Sequence, residues 1–248
     1  MSSHVPDDTT RYLAELAGLG EYFALRVADG DEWLCLAGLF TDQAVTRQVA
    51  RMRTAMAESA GCAVERVPVR VAASSFQLGV AARLLSPVIG SVLCFRAVPV
   101  LDHRSVRWRP SAGPAPQFAV TGPVWVGVTT DRAAADVIAT SVLAALTGLG
   151  ARLDALMSLS SQVTLGNLAS AANGAVTVLA MSRPELRVPG RALVQALLDT
   201  APLSGTGTFT ADQFRRRSCC LYYQAPRSGL CGDCVLAVAA TSQPGAAH

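Results

Sequence analysis

Residues 69–93 read VRVAASSFQLGVAARLLSPVIGSVL, and this largely apolar stretch decides the fold. Apolar residues fall on every side of a helix built from it, so we predict a central helix that is buried all round. Pro87 is expected to kink or end that helix, because proline lacks the amide hydrogen that a helical turn requires.

Further helices are predicted on both sides of this stretch. In residues 41–60, four apolar side chains recur at spacings of three and four behind Thr41, a suitable cap: Val45, Val49, Met52 and Met56. Other helices are predicted at residues 8–17, 131–146, 152–158, 165–180 and 190–198, with Asp8 or Thr9 capping the first and Asp131 the second.

Short strands complete the predicted fold. Residues 22–27 and 32–37 alternate around Asp29-Gly30-Asp31 and favour a hairpin. Strands are also predicted at residues 106–110, 118–120 and 125–128, and loops at residues 111–116 and 204–210. The sequence therefore predicts an α+β fold, mainly helical with short antiparallel strands. Residues 1–200 would form the α+β domain, and residues 201–248 a small cysteine-rich segment docked on it.

Composition and charge narrow the class of protein. The chain has 248 residues, of which 51% are hydrophobic and 16% charged, enough for a sizeable core. Its net charge of +3 is mild, and its longest basic run is Arg215–Arg217, which argues against nucleic-acid binding. Residues 1–11 do not resemble a secretory signal. Residues 155–182 are interrupted by polar side chains and residues 84–95 are short, so we expect a soluble, cytoplasmic protein without a membrane span.

The seven cysteines fall into two sets. Cys35, Cys62 and Cys94 are scattered, as expected of small buried apolar side chains. The other four lie within a short C-terminal stretch: Cys219, Cys220, Cys231 and Cys234. An odd number of cysteines in a chain expected in the cytoplasm disfavours a disulfide framework, and the clustering indicates a metal site.

The spacing of the clustered cysteines is C-C-x10-C-x2-C. Neighbouring side chains of a strand point to opposite faces, so Cys219 and Cys220 reach one site only where the chain bends. Four thiolates suit a [2Fe–2S] cluster, but from spacing alone a structural zinc site is equally open. A redox dithiol would leave the adjacent pair unexplained. A Rieske centre requires two histidines, and the three histidines here lie in no such motif.

The segment resembles the C-terminal signature of the FhuF-like ferric siderophore reductases. The matching residues are Arg216, Arg217, Cys219, Cys220, Tyr223, Cys231, Gly232, Asp233 and Cys234. Upstream, residues 77–93 resemble the apolar, proline-containing helix of that family, and Leu165-Gly166-Asn167 resembles a short family motif that ends in asparagine, with Leu165 where a tryptophan is often found.

The resemblance implies a [2Fe–2S] cluster on Cys219, Cys220, Cys231 and Cys234 and a cytoplasmic ferric siderophore reductase that passes single electrons to the bound iron. Residues 1–200 would dock the siderophore, for which a hydroxamate is the first expectation. Electrons would come from a separate donor such as a ferredoxin or a flavin reductase. Arg216 and Arg217 would favour the reduced cluster through their charge. The alternative is a zinc- or cluster-binding interaction or sensor protein without enzymatic activity.

Overall fold

The computed structural model describes residues 8–210 and 213–237. Its helices are α1 (Asp8–Gly18), α2 (Leu36–Leu39), α3 (Asp42–Ala60), α4 (Val69–Phe95), α5 (Asp131–Ile138), α6 (Ala144–Met157), α7 (Ser161–Ser182) and α8 (Arg187–Leu198). Its strands are β1 (Leu34–Cys35), β2 (Ala97–Pro99), β3 (Val106–Arg109), β4 (Gln117–Val120), β5 (Trp125–Gly127), β6 (Gly207–Thr210) and β7 (Gln213–Arg216). The predicted α+β class, mainly helical with short antiparallel strands, is confirmed.

Helix α4 is the central element, as its apolar sequence predicts. It packs most extensively against α7, and also against α3, α6 and α1. Its buried side chains point in all directions around the axis, with Phe76, Leu84 and Ile89 among the most completely enclosed. Pro87 lies inside the helix and does not end it. The buried turns on both sides of Pro87 hold the helix together despite the missing backbone hydrogen bond.

The predicted helices at residues 131–146 and 152–158 are one continuous helical stretch. Helix α5 passes through a π-helical turn, Ala139–Leu143, directly into α6. A side chain on Gly150 would lie 2.9 Å from Oγ1 of Thr164, so this glycine allows α6 and α7 to approach closely. The cap is Thr130 rather than Asp131, since Oγ1 of Thr130 accepts a hydrogen bond from the amide of Ala133.

Two strand predictions are wrong. Residues 22–27 and 32–37 do not form a hairpin: β1 pairs antiparallel with β3, and Val27 makes an isolated parallel bridge to Val120. The chain turns after β1 into the short helix α2, which buries Leu36 and Leu39. Residues 207–210, expected in a loop, form β6 and pair antiparallel with β7.

The strands form three small antiparallel sheets in the described chain. Their orders are β1-β3-β4, β2-β5 and β6-β7. The strands of the first two sheets follow α4 and precede α5 in the sequence, except for β1, which precedes α2. The third, the β6–β7 hairpin, contacts α7 and α8 and leads into the cysteine-rich segment.

Three helical stretches of the described chain have the length and apolar composition to cross a membrane: Val69–Phe95, Asp131–Met157 and Ser161–Ser182. The expectation that residues 84–95 are too short to cross a membrane no longer applies, because the helix that contains them, α4, begins at Val69. In this fold, 61%, 50% and 67% of the three apolar windows are buried inside the protein. Their hydrophobicity therefore matches their place in the core.

Candidate metal centre

Strand β7 places its last residues on two different faces. Phe214 and Arg216 point inward and are buried, whereas Arg215 is half-buried and Arg217 is exposed. This is the alternation expected of a strand. The two arginines treated alike in the sequence, Arg216 and Arg217, are thus in different environments, and Arg216 is only 2% exposed.

The cysteines follow this strand on irregular backbone, as the adjacent pair requires. The chain bends after Arg216, and Leu221 takes a positive φ of 67° that turns it into the 3-10 turn Tyr222–Gln224. Cys231 and Cys234 lie at the two ends of a turn in which the amide of Cys234 donates to the carbonyl of Cys231. Two bends therefore bring the four cysteines to one region.

Two of the four thiols are in contact, and all four are at least partly shielded from water. Sγ of Cys220 lies 3.5 Å from Sγ of Cys231. Backbone amides donate to the other two sulfurs, from Leu221 to Cys219 at 3.3 Å and from Leu236 to Cys234 at 3.4 Å. Cys220 and Cys234 are buried, and Cys219 and Cys231 are half-buried.

Electrostatics within the site favour a thiolate on Cys220. The hydrogen bond from Cys231 lowers the pKa of Cys220 to about 6, and the charge of Arg216 acts in the same direction. The pKa of Cys231 is raised, first because it donates that hydrogen bond and then by burial. Burial also raises the pKa of Cys219, against the amide of Leu221 and the charge of Arg216, which lower it. Arg216 is thus the positive charge that acts on both adjacent cysteines.

Arg216 is held by a buried polar network inside the helical core. Its Nη2 donates to Oδ1 of Asn167 at 2.8 Å and to the carbonyl of Val163 at 3.4 Å, both on α7. Nδ2 of Asn167 in turn donates to Oε1 of Gln77 at 2.8 Å and to Oγ of Ser74 at 3.0 Å, both on α4. The two central helices therefore fix the position of the guanidinium group.

The same network reaches the cysteines through the backbone. Oγ of Ser74 donates to the carbonyl of Cys220 at 2.8 Å. On the other side of the site, Nη1 of Arg215 donates to the carbonyl of Cys234 at 3.2 Å. The hydroxyl of Ser170 donates to the carboxylate of Asp233, inside the second cysteine turn. Each cysteine pair is thus anchored to the helical body by a side-chain hydrogen bond.

Sequence reasoning missed most of this support. Ser74 was not singled out, and Gln77 and Asn167 were noted only for their family resemblance. Each is a polar residue in an otherwise apolar, buried helix, a signal that could have marked them as partners of another buried polar group. Tyr222 and Tyr223, in contrast, are 46% and 44% exposed and lie on the return loop.

The donor set fits a [2Fe–2S] cluster, which takes four thiolates. The sulfurs of Cys219 and Cys234 receive backbone amides, and the buried cation Arg216 acts on Cys219 and Cys220, an environment that suits an anionic centre. Within residues 8–210 and 213–237, no three His, Cys, Asp or Glu side chains are grouped closely enough to hold a metal ion. The assignment of the cofactor therefore rests on the donor set and on the family match that follows.

Residues 216–236 match a family described as the FhuF 2Fe-2S C-terminal domain. The matched segment begins at the buried Arg216 and contains all four clustered cysteines. The match supports an FhuF-like family assignment and indicates a [2Fe–2S] cluster, which resolves the choice between zinc and iron–sulfur left open by the spacing. A comparison with curated proteins gave no match.

Proposed function

We propose that this protein is a ferric siderophore reductase, which reduces the chelated iron from Fe(III) to Fe(II) and so releases it in the cytoplasm. The observation that carries the proposal is the FhuF-type cysteine segment, matched over residues 216–236 and anchored to α7 through the buried Arg216. Hard hydroxamate or catecholate oxygens hold Fe(III) firmly and Fe(II) more weakly, so one electron is sufficient to loosen the iron.

The residues of the site have separable tasks in this proposal. Cys219, Cys220, Cys231 and Cys234 would hold the [2Fe–2S] group, which supplies one electron at a time when bound. Ser74 and Arg215 fix the backbone of the two cysteine pairs through the carbonyls of Cys220 and Cys234. No acid, base or nucleophile is required, because the reaction is a transfer of one electron.

Arg216 would set the electrostatic environment of the thiolates. Its guanidinium is buried, and its Nε has no hydrogen-bond partner in the described chain. A buried cation without a neutralising anion is costly, so an anionic group beside it is stabilising for both. Arg217 is exposed to solvent, where its charge is screened, and its contribution should be smaller.

The substrate and the electron donor complete the proposal. A hydroxamate chelate is the first choice, because catecholate complexes of iron are in general harder to reduce. A separate protein, such as a ferredoxin or a flavin reductase, would deliver the electrons.

The test uses protein purified without oxygen and reduced before mixing. On addition of a ferric trihydroxamate, the absorbance of the oxidised cluster should return, with about one Fe(II) captured by a chelator per cluster. A catecholate and a carboxylate chelate should be tested in parallel. If no ferric siderophore reoxidises the sample faster than simple ferric chelates of similar potential, the protein is not a reductase, and a sensor or interaction role takes its place.

A further inference from the structure

A groove of about 550 Å³ runs along the surface beside the second cysteine turn. One wall is the outer face of α7, from Ser170 to Ala180, and α8 forms the opposite side with Arg187 and Arg191. Gln213 and Phe214 of β7 and Gly232 and Asp233 of the second cysteine turn also line the groove. Its volume is in the range of pockets that bind small organic ligands.

The lining of the groove combines hydrogen-bond donors with apolar carbon. Arg187, Arg191, Asn173 and Gln213 bring donor groups to its walls, and the hydroxyl of Thr177 donates to the carbonyl of Asn173. The apolar part of the lining is formed by Val176, Val178, Ala180 and Phe214. An oxygen-rich chelate with hydrocarbon arms presents the complementary surface, since its oxygens are hydrogen-bond acceptors and its arms are apolar.

The position of the groove links it to the thiolates. Gly232 and Asp233, which line it, are the two residues between Cys231 and Cys234. Ser170, which lies midway along α7 and also lines the groove, donates a hydrogen bond to the carboxylate of Asp233 and so fixes the turn beside the groove. Gly232 is exposed, and a side chain there would meet nothing within 4 Å, so the turn presents bare backbone to a bound molecule.

We propose that this groove is the docking site for the ferric chelate, with the iron-bearing end of the ligand against the Gly232–Asp233 turn. The proposal rests on the proposed function and adds the location of the substrate. One electron would move onto Fe(III), which becomes Fe(II); the reduced [2Fe–2S] group held by the four cysteines would supply that electron and be oxidised by its loss. No covalent bond forms between protein and chelate, and no proton is required.

The experiment measures binding separately from electron transfer. The probe is the Ga(III) complex of a trihydroxamate siderophore, which has the shape and charge of the ferric complex but is not reduced under these conditions. Calorimetric titration of the intact, cluster-loaded protein should give saturable binding. Thr177→Trp places a bulky ring in the groove from the exposed side of α7 and should weaken binding at least tenfold.

A matched pair of controls tests the location. Thr54→Trp makes the same change on α3, in a different surface groove, and should leave affinity for the Ga(III) complex unchanged. Arg187→Glu should also weaken binding, whereas Arg47→Glu, in that other groove, should not. The visible spectrum of each variant should match that of the unaltered protein, which shows that the cysteine segment is intact.

The outcomes separate this proposal from the proposed function. The groove is not the docking site if ferric chelates reoxidise the Thr177→Trp protein at the normal rate, or if the Ga(III) complex binds that variant with normal affinity. Either result would leave the proposed reductase activity unaffected. Saturable binding that is lost in Thr177→Trp, without reoxidation by any ferric siderophore, would establish the groove as a siderophore site and refute the reductase.

Discussion

Arg216 and Asn167 meet in the interior of the protein, where Nη2 of the arginine donates to Oδ1 of the asparagine at 2.8 Å. Arg216 is three residues before the first clustered cysteine of the matched segment, and Asn167 lies on the central helix α7 and is 0% exposed. This contact joins the cysteine segment to the helical body. It gives Asn167, the end of the Leu165-Gly166-Asn167 motif, a physical role as the group that orients a buried positive charge.

Asn167→Leu should destabilise the fold. The leucine leaves Nη2 of Arg216 without its main acceptor and removes the donor to Gln77 and Ser74, and each unsatisfied buried group costs about 1–3 kcal/mol. Urea unfolding of the cluster-free protein should therefore show a loss of about 2–4 kcal/mol. Asn173→Leu, on the partly exposed side of the same helix, should change stability by no more than about 0.5 kcal/mol.

Arg216→Gln and Arg217→Gln should separate the effects of the two arginines on the reduction potential. Loss of positive charge disfavours the added electron, so both potentials should fall, but only the buried charge is unscreened. We expect a decrease of about 60 mV or more for Arg216→Gln, a tenfold change in the one-electron equilibrium, and a much smaller one for Arg217→Gln. Redox titration monitored in the visible range measures both.

Arg216→Lys is the variant that distinguishes charge from hydrogen bonding. Lysine retains the positive charge but lacks the planar guanidinium that reaches Asn167 and Val163 together. The reduction potential of the Arg216→Lys variant should therefore be closer to that of the unaltered protein than the reduction potential of the Arg216→Gln variant is. Equal potentials for the lysine and glutamine variants would show that geometry, and not charge, governs the site.

Replacing any one of Cys219, Cys220, Cys231 or Cys234 with serine should abolish or destabilise the [2Fe–2S] cluster, because each would supply one of its four thiolates. Cys35→Ser, Cys62→Ser and Cys94→Ser provide matched controls, since these residues belong to other elements and should leave the visible spectrum unchanged. Anaerobic spectra with iron and zinc analysis measure the outcome. A control variant that loses the cluster, or purified protein that contains zinc instead of iron, would contradict the ligand assignment.

The sequence predicted what depends on local pattern. Helices α3, α4 and α7 follow from apolar periodicity and from Thr41, whose Oγ1 accepts from the amide of Ala44, and the bend at the adjacent cysteines follows from strand geometry. The prediction failed where the structure of a segment depends on contacts with residues far away in the sequence. Residues 34–35 pair with β3 instead of with their neighbours, and Gly207, within the predicted loop 204–210, is a strand residue whose missing side chain leaves room for the ring of Phe214.

In the candidate metal centre, too, some features could be predicted from the sequence and others could not. The four cysteines could be read from spacing and resemblance, because both are properties of one short segment. The different burial of Arg216 and Arg217 could not be predicted, because it depends on which face of β7 meets α7. The contacts of Asn167 with Arg216 and Gln77, and of Ser74 with Cys220, join segments that are far apart in the chain, and no local pattern encodes such a network.

Gly166→Ala tests how closely the cysteine segment must approach α7. A Cβ at this position would lie 2.2 Å from Oγ of Ser218 and 3.0 Å from Nη2 of Arg216, so both side chains would have to move. We expect a loss of stability of about 1–3 kcal/mol, typical of overpacking, together with lower cluster occupancy. The measurements are urea unfolding and the ratio of visible to ultraviolet absorbance.

Gly174→Ala is the matched control on the same helix, because a Cβ there meets nothing within 4 Å. Alanine favours the helix more than glycine does, so this variant should be more stable by up to about 1 kcal/mol and should keep a full cluster. Adding Ser218→Ala to Gly166→Ala removes the closest clash and should restore part of the lost stability and occupancy. If Gly166→Ala instead behaves like Gly174→Ala, Arg216 and Ser218 adapt freely, and the close approach of the cysteine segment to α7 is not what positions the cluster.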